Sequence, residues 1–182
     1  GVAVPLAVEG GGRIAEKLVK PWPEGIDDWS HPRHGPDANP VAADRVVGPP
    51  RHVQWVAGPR WQIHHDMVPS LSAMVSAGGR VFYIINEAPA GVRGLPDQWR
   101  LVARDAFNGV SLWKRPIAEW GWNQWARGPM VGRSGNPSHL ARRLIAAGGR
   151  VYATLGFNAP VAALDAATGE TVNAYDGTEH TS

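Results

Sequence analysis

The stretch "VARDAFNGVSLWKRPI", from Val102 to Ile117, sets an Asp, an Asn-Gly pair and a Trp between two apolar runs. Asn-Gly flanked by apolar residues is a strong short-range signal for a β-hairpin, because a tight turn needs positive φ and Gly supplies it. The Asp can accept backbone N–H groups in such a turn, and the Trp that follows it by eight positions (113 − 105 = 8) brings a large ring to bury. Farther along, "VAALDAATGETVNAYDG", Val161 to Gly177, repeats the pattern with Asp165 and Gly169 standing for Asp105 and Gly109. A motif that recurs in order is the mark of stacked supersecondary units.

The repeat extends outward from these turns. Before the first lie "LSAMVSA", a turn "GGR", "VFYIIN", a long Pro/Gly loop and "WRLVARD"; before the second lie "RLIAA", "GGR", "VYATLG", a short "FNAP" and "VAALD". Each series predicts four short strands joined by hairpins, an antiparallel meander. Gly78 maps to Gly148 with an offset of 70 and Asp105 to Asp165 with an offset of 60, so the first unit carries 70 − 60 = 10 extra residues in "EAPAGVRGLPDQ". The organisation expected is an irregular, loop-rich lead-in over 1–40, perched on Trp22 and Trp29, and a partial blade or connecting strand over 41–70. A first unit over 71–117, a Trp-rich insertion over 118–139 with Trp120, Trp122 and Trp125, a second unit over 140–176 and a tail over 177–182 follow.

Bulk composition sets outer bounds. With 182 residues and 43% hydrophobic content the chain can build one core, and nine Trp with 22 Gly and 16 Pro suit a turn-rich β protein more than a helix bundle. A net charge of +2 gives no global field to recruit nucleic acid. Arg127, Arg133, Arg142, Arg143 and Arg150 fall in an acid-free stretch, which reads as a solvated basic face because no phosphate motif interleaves with them. The absence of Cys excludes disulfides, thiol catalysis and Cys-ligated metal. No apolar run approaches the ~20 residues of a membrane-spanning helix.

The pattern A-x-D-A-x-x-G-x-x-x-W after G-G-R-V-Y/F resembles the repeat of the quinoprotein-like, or PQQ-like, β-propellers. Asp105, Ala106, Gly109 and Trp113 carry it in the first unit, and Ala163, Asp165, Ala166, Gly169 and Glu170 in the second, where Asn173 replaces the Trp. The resemblance implies an all-β fold, a partial β-propeller made of four-stranded antiparallel blades. It also implies that the Trp docks between blades near the next blade's turn, and that the segment belongs to a longer bacterial protein, periplasmic or otherwise extracytoplasmic. Propellers close with typically 4–8 blades, so the remaining blades of the parent chain are the expected partners.

Three groups of residues carry side chains suited to chemistry. His64, His65 and Asp66 in "WQIHHDMVPS" offer metal-binding atoms, with His64 and Asp66 on one face if extended; a site would need His31, His34, His52 or His139 as well. The competing reading is a loop whose groups satisfy one another and nearby backbone. Asn86 with Glu87, and Asn158, follow the second strand of each unit, and their oxygens suit Ca²⁺; they also suit ordinary turns. Ser70 and Ser72 lack a nucleophile elbow, and no dinucleotide or phosphate-loop fingerprint occurs. The function expected is a non-catalytic scaffold or binding surface with no required cofactor. The alternative is part of a PQQ- and calcium-dependent dehydrogenase, in which the full-length protein would hold quinone and calcium.

Overall fold

In a computed structural model of the chain, the described residues are 21–59, 70–89, 95–121, 124, 137 and 139–179. The chain divides into two compact units, Gly1–Asp27 with Ala43–Pro49, and Asp28–Ala42 with Pro50–Ser182. In the smaller unit the described residues form a knot of short polar bonds. Asp27 Oδ2 accepts from Ala43 N at 2.6 Å, and Asp44 Oδ1 accepts from Val46 N at 2.8 Å and Val47 N at 2.7 Å.

The larger unit is all-β. Its strands are β1 Leu71–Ala77, β2 Arg80–Asn86, β3 Trp99–Asp105, β4 Ser111–Pro116, β5 Leu144–Ala147, β6 Arg150–Thr154, β7 Val161–Asp165 and β8 Thr171–Tyr175. They make two four-stranded antiparallel sheets, ordered β1-β2-β3-β4 and β5-β6-β7-β8, as the repeated meander predicts. The β1–β2 loop is the two-residue Gly78-Gly79, with φ of 56° and 73°. Positive φ at both central positions is the hairpin turn whose twist matches that of its strands, and it needs residues without a Cβ. The β5–β6 loop repeats it.

Side-chain alternation sends one face of each sheet into a shared core. Val75, Phe82, Ala103 and Trp113 lie in one cross-strand row of the first sheet. Ala146, Val151 and Leu164 form a row of the second. The buried members of both rows belong to one apolar cluster, with Trp113 partly buried against it. Phe82, Leu101, Ala103, Leu144, Val151 and Leu164 are fully shielded from water. Each of these side chains larger than alanine contributes about 1.5–3 kcal/mol by leaving water, so the pair of sheets is held first by this burial.

Backbone bonds add a second tie. The segment expected to be a loop-rich lead-in runs along the first strand of each sheet: Ser76 N donates to Trp29 O at 2.8 Å, and Ala146 N donates to Ser30 O at 3.0 Å. Trp29 N donates to Ser76 Oγ at 3.2 Å, and Gly78 N to Asp28 Oδ1 at 3.0 Å. Residues 28–30 thereby bind the edges of β1 and β5 together. Of the two lead-in tryptophans, Trp29 lies against β1, and Trp22 is 41% exposed. On the other side, Ala118 N donates to Leu155 O and Phe157 N to Glu119 O, pairing the chain after β4 with the chain after β6.

Candidate functional site

The repeated turns hold the most specific geometry in the molecule. Asp105 Oδ1 accepts from Phe107 N at 2.9 Å and Asn108 N at 3.0 Å, and Asp165 Oδ1 accepts from Ala167 N at 2.9 Å and Thr168 N at 3.0 Å. Gly109 N and Gly169 N close the turns onto the Asp105 and Asp165 carbonyls. Backbone N–H groups favour the ionised carboxylate, so those of Ala167 and Thr168, helped by Arg150 at 3.0 Å, hold Asp165 below its ordinary pKa.

Each turn seats a tryptophan ring. Trp113 Nε1 donates to Ala166 O at 3.1 Å, and a Cβ placed on Gly169 would lie 2.6 Å from Trp113 Cδ2. Trp55 Nε1 donates to Ala106 O at 2.9 Å, and a Cβ on Gly109 would lie 2.6 Å from Trp55 Cδ2. The same atoms meet in the same way at both turns. Gly is required twice over, for the close ring and for φ of +71° and +74°. Arg115 completes the second seat by donating to Gly169 O at 2.6 Å, which links β4 to the neighbouring sheet again.

Trp55 is the member that sequence reasoning missed. The stretch "RHVQWVAGP" reads as a short strand, and no strand is formed there among the described residues. The signal was present: Asp44 and Gly48 are spaced as Asp105 and Gly109 are, and as Asp165 and Gly169 are (48 − 44 = 109 − 105 = 169 − 165 = 4). Asp44 draws the same two backbone bonds to the second and third residues after it, and they hold its carboxyl below the usual value. At the other end of the series, Asn173 pairs with Ala163 as Trp113 pairs with Ala103, and Asn173 is exposed.

The loop residues considered for cation binding are occupied with the protein's own groups or stand apart. Asn86 is 4% exposed. Its Oδ1 accepts from Ala88 N at 3.1 Å and Gln98 N at 2.9 Å, and its Nδ2 donates to Asp97 Oδ1 at 2.6 Å. A carboxamide oxygen has two lone pairs and both are used, so Asn86 closes the ten-residue-longer loop and does not fit a Ca²⁺ ligand. Glu87 pairs with Lys114 at 2.6 Å. Asn158 is exposed, and strand register makes Gly156, not Asn158, the counterpart of Asn86 (150 − 80 = 70; 86 + 70 = 156).

His64, His65 and Asp66 lie outside the described residues, as do Trp122, Trp125, Arg127 and Arg133. Among the described residues no group of three or more His, Asp or Glu could hold a metal ion. His31 Nδ1 lies 2.8 Å from Ser30 Oγ, His34 meets Trp29 edge-on at 5.3 Å, and His52 is exposed. Ser70 is buried and its carbonyl accepts from Asn86 N. Arg143 donates to Phe157 O at 2.6 Å and sits 5.1 Å from that ring's centre, while Arg150 serves Asp165, so these two arginines act locally. Trp120 is buried in the core. No helix among the described residues is long and apolar enough to cross a membrane.

The arrangement is a docking device: a ring on one segment, a glycine and a carbonyl on the turn of the next. Neither a protein-family model nor a curated protein sequence matches the chain.

Proposed function

We propose that the chain is a segment of a quinoprotein-like β-propeller that acts as a non-catalytic scaffold or binding surface within a larger extracytoplasmic protein. The observation that carries this reading is the duplicated clamp, Trp55 on Gly109 and Trp113 on Gly169, each with its indole N–H on the carbonyl of the residue after the turn Asp. Blades of a propeller are four-stranded meanders that pack in sequence around an axis, and a clamp repeated from one unit to the next suits that serial packing. The two sheets found among the described residues are fewer than the typical 4–8 blades, so on this reading further blades complete the ring.

Scaffold is favoured over catalysis by the structural use that the turn and loop polar groups find. Asp105 and Asp165 cap turns, Asn86 closes a loop and Glu87 forms a surface ion pair. The test is quinone reconstitution: PQQ with Ca²⁺ is added to the purified chain, and thermal unfolding and dye reduction with alcohols or aldose sugars are followed. The scaffold reading expects neither a shift nor reduction; stabilisation at micromolar PQQ would overturn it in favour of the dehydrogenase.

A further inference from the structure

We propose that the Asn108–Gly109 peptide is a self-modification site, at which loss of ammonia and rearrangement to isoaspartate release Trp55 from its seat. The clamp geometry carries this, and it holds with or without the propeller reading. Asn108 is the one asparagine of the sequence followed by glycine. It lies exposed in the turn between β3 and β4, and the missing Cβ of Gly109 leaves the peptide nitrogen between them uncrowded. Val110 N donates to Asn108 Oδ1 at 2.9 Å. That bond folds the carboxamide back over the Asn108–Gly109 peptide and turns Cγ toward Gly109 N. The same N–H stabilises the charge that develops on Oδ1 when Cγ is attacked, as an oxyanion donor does.

In the reaction the Gly109 N–Cγ bond forms and the Cγ–Nδ2 bond breaks. The Gly109 amide proton leaves with Nδ2 as ammonia, and a cyclic imide remains. Water then opens the ring at either carbonyl. Addition at Cγ restores the main chain with an aspartate; addition at the Asn108 main-chain carbonyl leaves the chain running through Cβ and Cγ, an isoaspartate longer by a methylene. The turn has no slack for it. Gly109 N closes onto Asp105 O at 2.9 Å, and a Cβ on Gly109 would already lie 2.6 Å from Trp55 Cδ2. Lengthening the turn shifts Gly109 beneath the ring and Ala106 O away from Trp55 Nε1, which it meets at 2.9 Å.

The clamp in turn restrains the reaction. Attack requires Gly109 N to lose its proton, and that N–H is held by Asp105 O in a turn that Trp55 covers. A seated ring therefore slows ammonia loss, and local opening speeds it. The second clamp is immune. Thr168 stands where Asn108 does, its Oγ1 accepting from Glu170 N at 3.2 Å as Asn108 Oδ1 accepts from Val110 N, and a hydroxyl offers no carbonyl carbon to attack. The modification thus loosens the Trp55 clamp alone, and water does not reverse it.

The test incubates the native chain, its Trp55→Phe and Trp113→Phe variants and the free peptide 105–114 in mildly alkaline buffer. Trypsin cuts after Arg104 and Lys114, so peptide 105–114 is followed by the mass gained when NH2 becomes OH, and isoaspartate by enzymatic carboxyl methylation. Asp176–Gly177 can rearrange as well, but without a change of mass. The native chain should convert at Asn108 several-fold more slowly than the free peptide and mainly to isoaspartate. Trp55→Phe, which loses the indole donor, should convert several-fold faster than the native chain, and Trp113→Phe at the native rate. In the converted chain the Trp55 indole N–H should exchange freely while that of Trp113 stays protected. The proposal is overturned by a native chain whose peptide 105–114 keeps its mass after the free peptide has fully converted, or by a converted chain whose Trp55 indole stays protected. Equal rates for the native chain and Trp55→Phe, or equal acceleration by both variants, would overturn it too.

Discussion

Gly169→Ala probes the clamp at its tightest point. Two costs add. Alanine at φ +74° is left-handed, worth roughly 1–2 kcal/mol. The new Cβ would also stand 2.6, 2.8 and 3.0 Å from Cδ2, Cε3 and Cγ of Trp113, well inside the ~3.5–4.0 Å of a carbon–carbon contact, so the ring must move about 1 Å. That displaces the indole N–H from Ala166 O, a loss of about 0.5–1.5 kcal/mol, and strips part of the ring's packing. The total is about 3 kcal/mol. Gly148→Ala is the control, because Gly148 has φ +57° and nothing within 4 Å of its would-be Cβ. It should cost only the roughly 1–2 kcal/mol of backbone strain. In urea the two variants should therefore separate by roughly 1 M in midpoint, given slopes of about 1–3 kcal/mol per molar. In a Trp113→Ala background the excess cost of Gly169→Ala over Gly148→Ala should vanish. Equal midpoints for the two alanine variants, or an excess that survives loss of the ring, would refute the seat.

Other perturbations test the neighbouring groups. Asp165 has its pKa lowered from 3.8, so its stabilising contribution is complete above about that pH and is lost as pH falls through the lower folded value. Unfolding midpoints of the native chain should therefore drop more steeply below pH 3.8 than those of Asp165→Asn, with parallel curves above it; identical acid limbs would contradict the turn bonds. Asn86→Ala should lower stability by about 2–4 kcal/mol by stranding the Ala88 and Gln98 N–H groups, and a denaturant shift under about 1 kcal/mol would mean that the loop is held by something else. Asn173→Trp should change stability by no more than about 0.5 kcal/mol, because the position is exposed; a gain above about 1 kcal/mol would reveal a seat for the ring.

The hairpins were legible because their determinants are local. "GGR" and the Asp-to-Gly spacing fix φ and turn bonds within a few residues, so β2 and β6 start at Arg80 and Arg150, directly after the Gly-Gly pairs. Trp55 was obscured by three inserted residues, since it follows Asp44 by 55 − 44 = 11 positions where Trp113 follows Asp105 by eight. The tie made by residues 28–30 left little sequence trace, because two of its bonds use main-chain carbonyls of Trp29 and Ser30 that any residue would supply. Asn86 and Asn158 looked equivalent because an Ala-Pro pair follows each, directly after Asn158 and one residue later after Asn86. Strand register, which alone decides equivalence, shifts one against the other by two residues (158 − 156 = 2).

The claim at the centre is that successive repeats are joined by a tryptophan ring lying on a turn glycine, and proton NMR of the native chain reads it directly. An α-proton of Gly109 points at the face of Trp55 and one of Gly169 at the face of Trp113, so both should be shifted strongly upfield by the ring currents and show cross-relaxation to the indole protons. Gly148, with an open would-be Cβ position, should show no such shift. Ordinary glycine shifts at 109 and 169, indistinguishable from that of Gly148, would contradict the account.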